Sequence, residues 1–351
     1  MKRKNNKARK KIFRMNLSTI LCLTMVAVFA AGCGFRKQGS GNVIDSDAQS
    51  SVQPAETEKI ERNTDFIETG EERDGTAFIS DRSDSFSVDI TAANVIVVEA
   101  DTNLVLYRKN SSDRIAPAST AKIIMALTAL DVCSAEDCVT VGSEIMMMHD
   151  DSSRAWLNQG DTLTIRQLLI ALLLPSGNDA AYALAVHTGR KIAGDNRLSN
   201  EQAVEVFMDA VNEKAKELGA EHSNFVVPDG YDAEGQYTTA CDLAIIAKAC
   251  LDNPDIARIV AKEKSYERWT GGREVTYQNT NKLLDSGSPY YYPEAIGMKT
   301  GTSSLAGAGL VSAAVINEKT YVSIVMGAAT KDSLFQDSII IYDAIKELGK
   351  R

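Results

Sequence analysis

The pattern of apolar and polar residues changes along the chain, with strand-like runs at both ends of residues 90–351. Residues 94–100 (NVIVVEA) are apolar and β-branched, and a polar turn separates them from a second run at 104–108. This pattern predicts a strand, a tight turn and a second strand. Three further strand patterns lie toward the C-terminus, at 273–279, 309–316 and 320–328. The last two predict a hairpin.

Helical periodicity dominates between these two groups of strands. Residues 163–251 repeat apolar positions three and four apart, as at Leu168 and Leu172. Residues 119–130 also have helical character, and 332–348 predict a closing helix. The order predicts an α+β fold: an antiparallel sheet from N- and C-terminal strands, flanked by helices, with a helix-rich inserted lobe. We expect a site in the groove beside that lobe.

The N-terminal part of the chain does not fit this fold. Residues 1–32 combine eight basic groups and no acid with an apolar stretch at 17–31, which is typical of an export signal and shorter than most membrane-spanning helices. Residues 33–87 are rich in Gly, Ser, Gln, Asp, Glu and Thr, and they predict a disordered acidic, polar tether. The folded domain is therefore expected at 88–351.

The export segment ends in Ala30, Ala31, Gly32 and Cys33, which resembles the lipobox of bacterial lipoproteins. This resemblance implies a lipoprotein signal peptide at 1–32 and acylation of Cys33. Each buried methylene of the acyl chains would contribute about 0.8 kcal/mol to anchoring at the outer face of the cell membrane. An ordinary signal peptide cut near Ala31 and an uncleaved signal anchor are the alternatives. All three predict an extracytoplasmic protein.

Charge and cysteine content narrow the possible functions. The formal charge of −9 becomes −17 without the eight basic groups of residues 1–32, which argues against broad electrostatic binding of nucleic acid. After residue 33 the cysteines form no Cys-x-x-Cys pair and have no histidine at ligand spacing, so neither a metal nor a cofactor is expected. Cys133 and Cys138 flank a polar turn and are compatible with either a disulfide or two free thiols.

Three short motifs carry the candidate chemistry: Ser119-Thr120-Ala121-Lys122, Ser176-Gly177-Asn178 and Lys299-Thr300-Gly301. The first opens an apolar helical run, so Ser119 is expected at or near a helix N-terminus. One helical turn brings Ser119 Oγ and Lys122 Nζ onto the same face. Burial and the positive end of the helix dipole both favour the neutral amine that a general base requires. The alternative is a capping serine beside a solvated lysine.

The second motif follows an apolar helix that Pro175 interrupts. Ser176 and Asn178 are then presented from a tight loop, where they can relay a proton and bind a substrate amide. The alternative is a plain turn between helices, because Asn and Gly are common turn residues.

The third motif lies in residues 296–302, which predict a strand at the sheet edge beside the cleft. An extended peptide can pair with such an edge. Lys299 supplies a cation for a carboxylate and a second ammonium that lowers the pKa of Lys122, while Gly301 permits close backbone approach. The alternative is an edge strand with a solvated lysine.

The motifs together resemble the serine acyl-enzymes that comprise penicillin-binding proteins and serine β-lactamases. Within that group the chain is most similar to low-molecular-weight D-alanyl-D-alanine carboxypeptidases, through runs such as GDTLTIRQLLIALLLPSGNDAAYALA and GMKTGTSSLAGAGLVSAAV. The resemblance covers about residue 90 to the C-terminus. It implies a β-lactamase/transpeptidase-like fold and removal of the terminal D-Ala from peptidoglycan stem pentapeptides through an acyl-enzyme. It also implies that β-lactam antibiotics are covalent inhibitors.

The resemblance assigns a role to each motif residue. Ser119 is the nucleophile, Lys122 accepts its proton and Ser176 completes proton transfer. The residues implied in substrate binding are Asn178, Lys299, Thr300, Gly301 and Thr302. Lys299 with its neighbouring threonine binds the terminal carboxylate, and the N–H groups of Ser119 and Thr302 form the oxyanion hole.

One loop departs from the family pattern. Residues 227–231 are Val-Pro-Asp-Gly-Tyr, whereas the family often has Asn-Pro-His-Gly-Leu, so Asp229 stands where a histidine is common. Because that loop shapes the cleft, the departure leaves substrate preference open.

Three alternative functions share some of these features. A Ser-His-Asp hydrolase is excluded, because the chain has three histidines and no Gly-x-Ser-x-Gly elbow. A class A β-lactamase needs a Glu-x-x-x-Asn pattern, and residues 199–225 contain none. A non-catalytic wall-binding or β-lactam-sensing domain would keep the cleft without turnover, and it remains open.

Overall fold

The computed structural model describes residues 80–350, and their elements follow the predicted order. The strands are β1 (Ser80–Asp81), β2 (Asn94–Glu99), β3 (Leu104–Lys109), β4 (Cys138–Thr140), β5 (Thr162–Thr164), β6 (Lys264–Arg268), β7 (Glu274–Gln278), β8 (Ala295–Ser303), β9 (Gly307–Ile316) and β10 (Lys319–Ala328). The α-helices are α1 (Lys122–Val132), α2 (Ile165–Leu173), α3 (Asn178–Ala193), α4 (Asn200–Glu217), α5 (Ala240–Asp252), α6 (Pro254–Val260) and α7 (Lys331–Leu348). The predicted export signal, Cys33 and most of the predicted tether lie outside the described residues.

The main sheet has six strands in the order β1-β3-β2-β10-β9-β8. Its antiparallel core joins N-terminal β2 and β3 to C-terminal β10, β9 and β8, which confirms the predicted α+β fold. All six residues of β2 are buried, because this strand has a neighbour on each side and packing on both faces. The third motif lies on β8, at the sheet edge, as the sequence predicted.

Two strands differ from the expectations. The strand predicted at 273–279 forms as β7, but it pairs with β6 in a separate two-stranded sheet rather than joining the main sheet. Strand β1 pairs parallel to β3 and begins before the predicted domain boundary at 88. The pattern at 273–279 indicates an extended segment, whereas its partner is chosen by distant parts of the chain. Residues 80–81 fall in the predicted tether, where the sequence predicted no strand.

The two faces of the sheet bury different parts of the chain. Along β10, Val322 and Ile324 belong to the core shared with α1 and α5, whereas Tyr321 and Val325 belong to the core shared with α7. This alternation is the period of two that a strand imposes on its side chains. Tyr342 of α7 is fully buried, and its hydroxyl lies 2.7 Å from Ser312 Oγ of β9.

The inserted lobe begins with α1, whose residues 122–129 are all buried. Helix α2 starts in a capping box, in which the Thr164 side chain accepts from the Gln167 N–H and the Gln167 side chain accepts from the Thr164 N–H. Helix α3 starts directly after Gly177 and ends at Gly194, whose φ of 66° is a left-handed helix stop. The starts of α1 and α3 carry the first two motifs.

The four cysteines of the described region are free thiols, with Cys133 buried and Cys138 exposed. The structure therefore has the free-thiol alternative rather than a Cys133–Cys138 disulfide. None of the helices between residues 80 and 350 is long and apolar enough to cross a membrane.

Candidate active site

Ser119 and Lys122 meet where the chain enters the inserted lobe. Ser119 lies in a 3-10 turn, Ala118–Ala121, and Lys122 is the first residue of α1. Lys122 Nζ lies 2.7 Å from Ser119 Oγ. Ala118 precedes the serine with a left-handed φ of 46°, a conformation that costs a non-glycine residue about 1–3 kcal/mol. This local strain accompanies the turn that aims the serine at the lysine.

The Lys122 amine has two further fixed partners. Nζ lies 2.8 Å from Asn178 Oδ1 and 2.6 Å from the main-chain oxygen of Asp229, and the side chain is fully buried. A neutral amine has two N–H donors and one lone pair. If the two carbonyl oxygens take the N–H groups, the lone pair is left for the Ser119 hydroxyl. This geometry is the one a general base requires.

The electrostatic environment also favours the neutral amine. Burial lowers the pKa of Lys122 to about 8, because an ammonium loses its hydration there, while the carboxylates of Asp229 and Asp179 act in the opposite direction. Lys299 was expected to lower this pKa. The pKa of Lys299 itself lies well below its usual range, first through burial and then through repulsion by Lys122, and this repulsion acts on both amines.

The second motif lies on the other side of the lysine. Ser176 has a left-handed φ of 67° and is buried, and Asn178 is the first residue of α3 rather than part of a loop. Ser153 Oγ donates to the Ser176 main-chain oxygen at 2.6 Å, and Asn178 N–H donates to the Ser153 main-chain oxygen at 2.8 Å. Ser153 thus fixes both motif residues, although no sequence motif indicated it.

Asp179 anchors the same loop from the first turn of α3. Its carboxylate accepts from the N–H groups of Ala155 at 2.8 Å and Leu157 at 2.9 Å. These N–H groups are buried and would otherwise lack partners, which makes the carboxylate a structural support for the segment that contains Ser153. The position next to Asn178, at a helix N-terminus where acids are favoured, was the only sequence signal for this role.

Strand β8 packs directly on the nucleophile turn. A Cβ added to Gly301 would lie 3.1 Å from Ser119 N and 3.0 Å from Thr120 N, so glycine allows this approach. Thr300 is half-buried, and its Oγ1 lies 2.6 Å from Thr280 Oγ1. Thr280 is a further site residue that the sequence did not indicate.

Lys299 lies beneath this strand surface. Its side chain is fully buried, and Nζ donates to the Thr300 main-chain oxygen at 2.8 Å. The alternative of a solvated lysine is therefore wrong. The structure brings Lys299 close enough to Lys122 for mutual repulsion, but without a direct hydrogen bond between them among the described contacts.

The 227–231 loop closes the site. Asp229 is fully buried; its Oδ2 accepts from Asn178 Nδ2 at 2.8 Å, and its Oδ1 accepts from Tyr231 N–H at 3.0 Å. Gly230 has a φ of 79°, and an added Cβ would lie 2.0 Å from the Ala118 main-chain oxygen. The sequence singled out this loop as a departure, but not Asp229 as a partner of the second motif.

These elements surround a cleft of about 920 Å³. Residues from all three motifs and the 227–231 loop line it, among them Ser119, Ser176, Asn178, Asp229, Thr300 and Thr302. No group of three or more His, Cys, Asp or Glu suited to a metal ion occurs within residues 80–350. The arrangement combines a hydroxyl nucleophile, an adjacent amine and an open strand edge, which suits acyl transfer from an extended peptide.

Comparison with known protein families agrees with the acyl-transfer chemistry that the site geometry suggests. The family model described as D-alanyl-D-alanine carboxypeptidase matches residues 80–330. The chain belongs to this D-alanyl-D-alanine carboxypeptidase family. The matched region contains all three motifs and the 227–231 loop, so the family assignment covers the whole site.

Individual members of the family are similar over the same region. The Bacillus subtilis D-alanyl-D-alanine carboxypeptidase DacF is 32% identical over 68% of this chain and 58% of the relative. DacC of Escherichia coli is 30% identical over 75% of this chain and 63% of the relative. The chain thus spans about three fifths of the length of these curated relatives.

Solved structures of the family share the fold. A Streptomyces DD-transpeptidase superposes with a TM-score of 0.67 at 30% identity, covering 74% of this chain and 98% of that one. A D-alanyl-D-alanine carboxypeptidase from Mycobacterium tuberculosis gives 0.63 at 30% identity, covering 73% and 91%. These two structures support the α+β fold across nearly their full length.

Proposed function

We propose that the protein is a serine D-alanyl-D-alanine carboxypeptidase that removes the terminal D-Ala from peptidoglycan stem pentapeptides. The observation that carries this proposal is the 2.7 Å contact between Ser119 Oγ and the fully buried Nζ of Lys122. A buried amine whose pKa is lowered to about 8 is neutral in about one tenth of the molecules at pH 7, far more often than an ordinary lysine, and it can then accept the serine proton.

The reaction proceeds in two acyl transfers. Ser119 Oγ attacks the carbonyl carbon of the D-Ala–D-Ala bond while its proton moves to Lys122 Nζ. The tetrahedral oxyanion then collapses, the C–N bond breaks, and the proton passes to the departing D-alanine amine with Ser176 assisting. Water attacks the carbonyl carbon of the resulting ester while one of its protons moves to Lys122 Nζ. The ester C–O bond then breaks, Lys122 returns the proton to Ser119 Oγ, and the shortened peptide leaves.

Substrate binding follows from the position of β8 beside the nucleophile. An extended peptide can add as a strand along this edge, with its reactive carbonyl near the N–H groups of Ser119 and Thr302. The terminal carboxylate would then accept hydrogen bonds near Thr300, with the buried Lys299 as the underlying positive charge whenever it is protonated. Asn178 is available for the substrate amide.

Mass spectrometry tests this function directly. Purified protein is incubated with a synthetic pentapeptide that ends in D-Ala–D-Ala, and the wild type is expected to release one D-alanine. The Ser119→Ala variant should leave the peptide intact while unfolding at the same temperature as the wild type. An active Ser119→Ala variant would disprove the assignment of the nucleophile.

Labelling with a fluorescent penicillin separates the alternatives. A carboxypeptidase is expected to form a long-lived acyl-enzyme with the β-lactam, because residues 199–225, downstream of the second motif, contain no Glu-x-x-x-Asn pattern to activate the deacylating water. Rapid catalytic hydrolysis of benzylpenicillin would favour a β-lactamase. Labelling without any trimming of the pentapeptide would favour a sensing domain.

Transpeptidation is a second candidate, because a structure of similar fold at 30% identity is titled a DD-transpeptidase. An amine acceptor would then replace water in attack on the Ser119 ester. Adding D-alanine analogues or glycine to the pentapeptide assay tests this, since an exchanged C-terminal residue has a distinct mass. Hydrolysis alone at high acceptor concentration would exclude it under those conditions.

We further propose that the protein is exported and held at the outer face of the cell membrane by acyl chains on Cys33. The basic and apolar pattern of residues 1–32 and the Ala-Ala-Gly-Cys sequence support this proposal. Metabolic labelling with an alkyne fatty acid should mark the wild type but not Cys33→Ala. Release of the wild type in unlabelled, soluble form would contradict it.

A further inference from the structure

The buried carboxylate of Asp229 is linked to the base, Lys122, through the side chain of Asn178. Asp229 is fully buried, yet both of its oxygens are occupied: Oδ2 accepts from Asn178 Nδ2 and Oδ1 accepts from Tyr231 N–H. Its main-chain oxygen independently accepts from Lys122 Nζ. One residue therefore contacts both the base, through its carbonyl, and the second motif, through its carboxylate.

The hydrogen bond to Asn178 fixes the orientation of its amide group. With Nδ2 donating to the carboxylate, Oδ1 points toward Lys122 Nζ, at 2.8 Å. If the amide were flipped, the Asn178 NH₂ group would face the N–H groups of Lys122, donor against donor. The Asn178 oxygen would face the Asp229 carboxylate, acceptor against acceptor. An ionised carboxylate accepts but does not donate, so it selects one amide orientation, whereas an imidazole can present either a donor or an acceptor.

We propose that Asp229 is a positioning residue for acyl transfer: its carboxylate orients the Asn178 amide, and Asn178 Oδ1 and the Asp229 carbonyl together hold the two N–H groups of Lys122 so that the lone pair faces Ser119. This inference rests on the proposed function only in that Lys122 is the base. The reacting atoms remain those of Ser119 and Lys122.

The charges around Lys122 give this arrangement a second consequence. The lysine faces Asp229 from the loop, Asp179 from α3 and Lys299 from β8, and Tyr182 of α3 also faces the Asp229 carboxylate. Asp229 stabilises the protonated amine and therefore raises its pKa against the effect of burial. Removing this charge should let the amine lose its proton at lower pH.

Asp229→Asn changes both the hydrogen bonding and the charge at this position, and two measurements report on them separately: the maximum acylation rate reports on the orientation of Asn178, and the acidic limb of the pH–rate profile reports on the charge. Its single amide oxygen can serve only one of the two donors, Asn178 Nδ2 or Tyr231 N–H, and its NH₂ group opposes the other. We expect the maximum acylation rate to fall at least about tenfold, since one hydrogen bond to a charged group is worth about 1.5–3 kcal/mol. We also expect the acidic limb of the pH–rate profile to move to lower pH by about one unit.

The assay measures acylation by a fluorescent penicillin at pH 5–10, in wild type and variants. Asp229→His, which replaces the carboxylate by an imidazole, should also move the acidic limb downward, and it provides a second route if Asp229→Asn folds poorly. The control is Asp242→Asn, which alters another buried carboxylate, one that accepts from Ser223 Oγ and His222 N–H. It should lower stability while leaving the acidic limb in place.

Each outcome bears on one claim. If both Asp229 variants keep the wild-type maximum rate and acidic limb, the carboxylate is only structural and the inference fails, whatever the peptide assay gives. If the limb also moves in Asp242→Asn, the shift reports general destabilisation and the inference fails too. If wild type reacts with penicillin but does not trim the pentapeptide, the proposed function fails while the Asp229 test still stands.

Discussion

Gly230→Ala tests how closely the 227–231 loop must approach the nucleophile. The methyl group would lie 2.0 Å from the main-chain oxygen of Ala118 and 2.6 Å from its carbonyl carbon. Both atoms are backbone and precede Ser119 directly. Because they cannot rotate away as a side chain would, the loop itself must retreat, and with it the Asp229 carbonyl that contacts Lys122.

The expected cost has two parts. Gly230 has a φ of 79°, a left-handed conformation that costs an alanine about 1–2 kcal/mol. Overpacking of a closely packed site adds about 1–3 kcal/mol. We therefore expect Gly230→Ala to lower the free energy of unfolding by about 2–5 kcal/mol.

Gly235→Ala is the matched control. Gly235 lies five residues further along the chain with a φ of 78°, but an added Cβ would have no neighbour closer than 3.9 Å. It should show the conformational cost of about 1–2 kcal/mol alone. Urea unfolding of both variants and of wild type gives the difference, and penicillin acylation of each variant reports the site.

We expect Gly230→Ala to be less stable than Gly235→Ala by about 1–3 kcal/mol and to acylate at least about tenfold more slowly than wild type, because Lys122 loses a hydrogen-bond partner. Gly235→Ala should acylate at close to the wild-type rate. Equal stability of the two variants, or a wild-type acylation rate in Gly230→Ala, would refute the close approach of the loop.

Further predictions concern the base, the Asp179 support and the strand edge. In wild type the acylation rate should fall about tenfold per pH unit below pH 8, because only neutral Lys122 accepts the proton and its pKa is about 8; stopped-flow measurements from pH 6 to 10 check this. Asp179→Asn removes one of two acceptors for buried N–H groups and should lower the free energy of unfolding by about 1–3 kcal/mol in urea. Thr280→Val removes the partner of Thr300 and should raise KM for the pentapeptide about 2–10-fold with kcat nearly unchanged. An effect on kcat alone would contradict the substrate-binding role proposed for Thr300.

The sequence predicted the elements and their order well, because strand and helix patterns are local. The buried run at 94–100 became β2, the helical middle became α2 to α5, and 320–328 became β10. The same patterns did not predict that the strand at 273–279 pairs with β6, because the residues of an extended segment do not by themselves determine which strand it pairs with.

The three motifs were visible in sequence because their members are close in the chain, as in the one-turn spacing of Ser119 and Lys122. Their surroundings were decided by tertiary structure. The Asp229 carbonyl reaches Lys122 across 107 residues, and its carboxylate reaches Asn178 across 51. No periodicity or short motif spans such separations.

The sequence alone therefore determined which residues can react, and the family to which their arrangement points. Only the tertiary structure decided how they react, because burial and long-range contacts set the state of each group. Full burial lowers the pKa of Lys122. The 227–231 loop, distant in sequence, supplies the Asp229 carbonyl as one hydrogen-bond acceptor for Lys122 and orients the second acceptor, Asn178 Oδ1, through the Asp229 carboxylate. The physical reason is that the loss of hydration on burial and the contacts between residues distant in sequence both depend on the folded structure, and a local sequence pattern encodes neither.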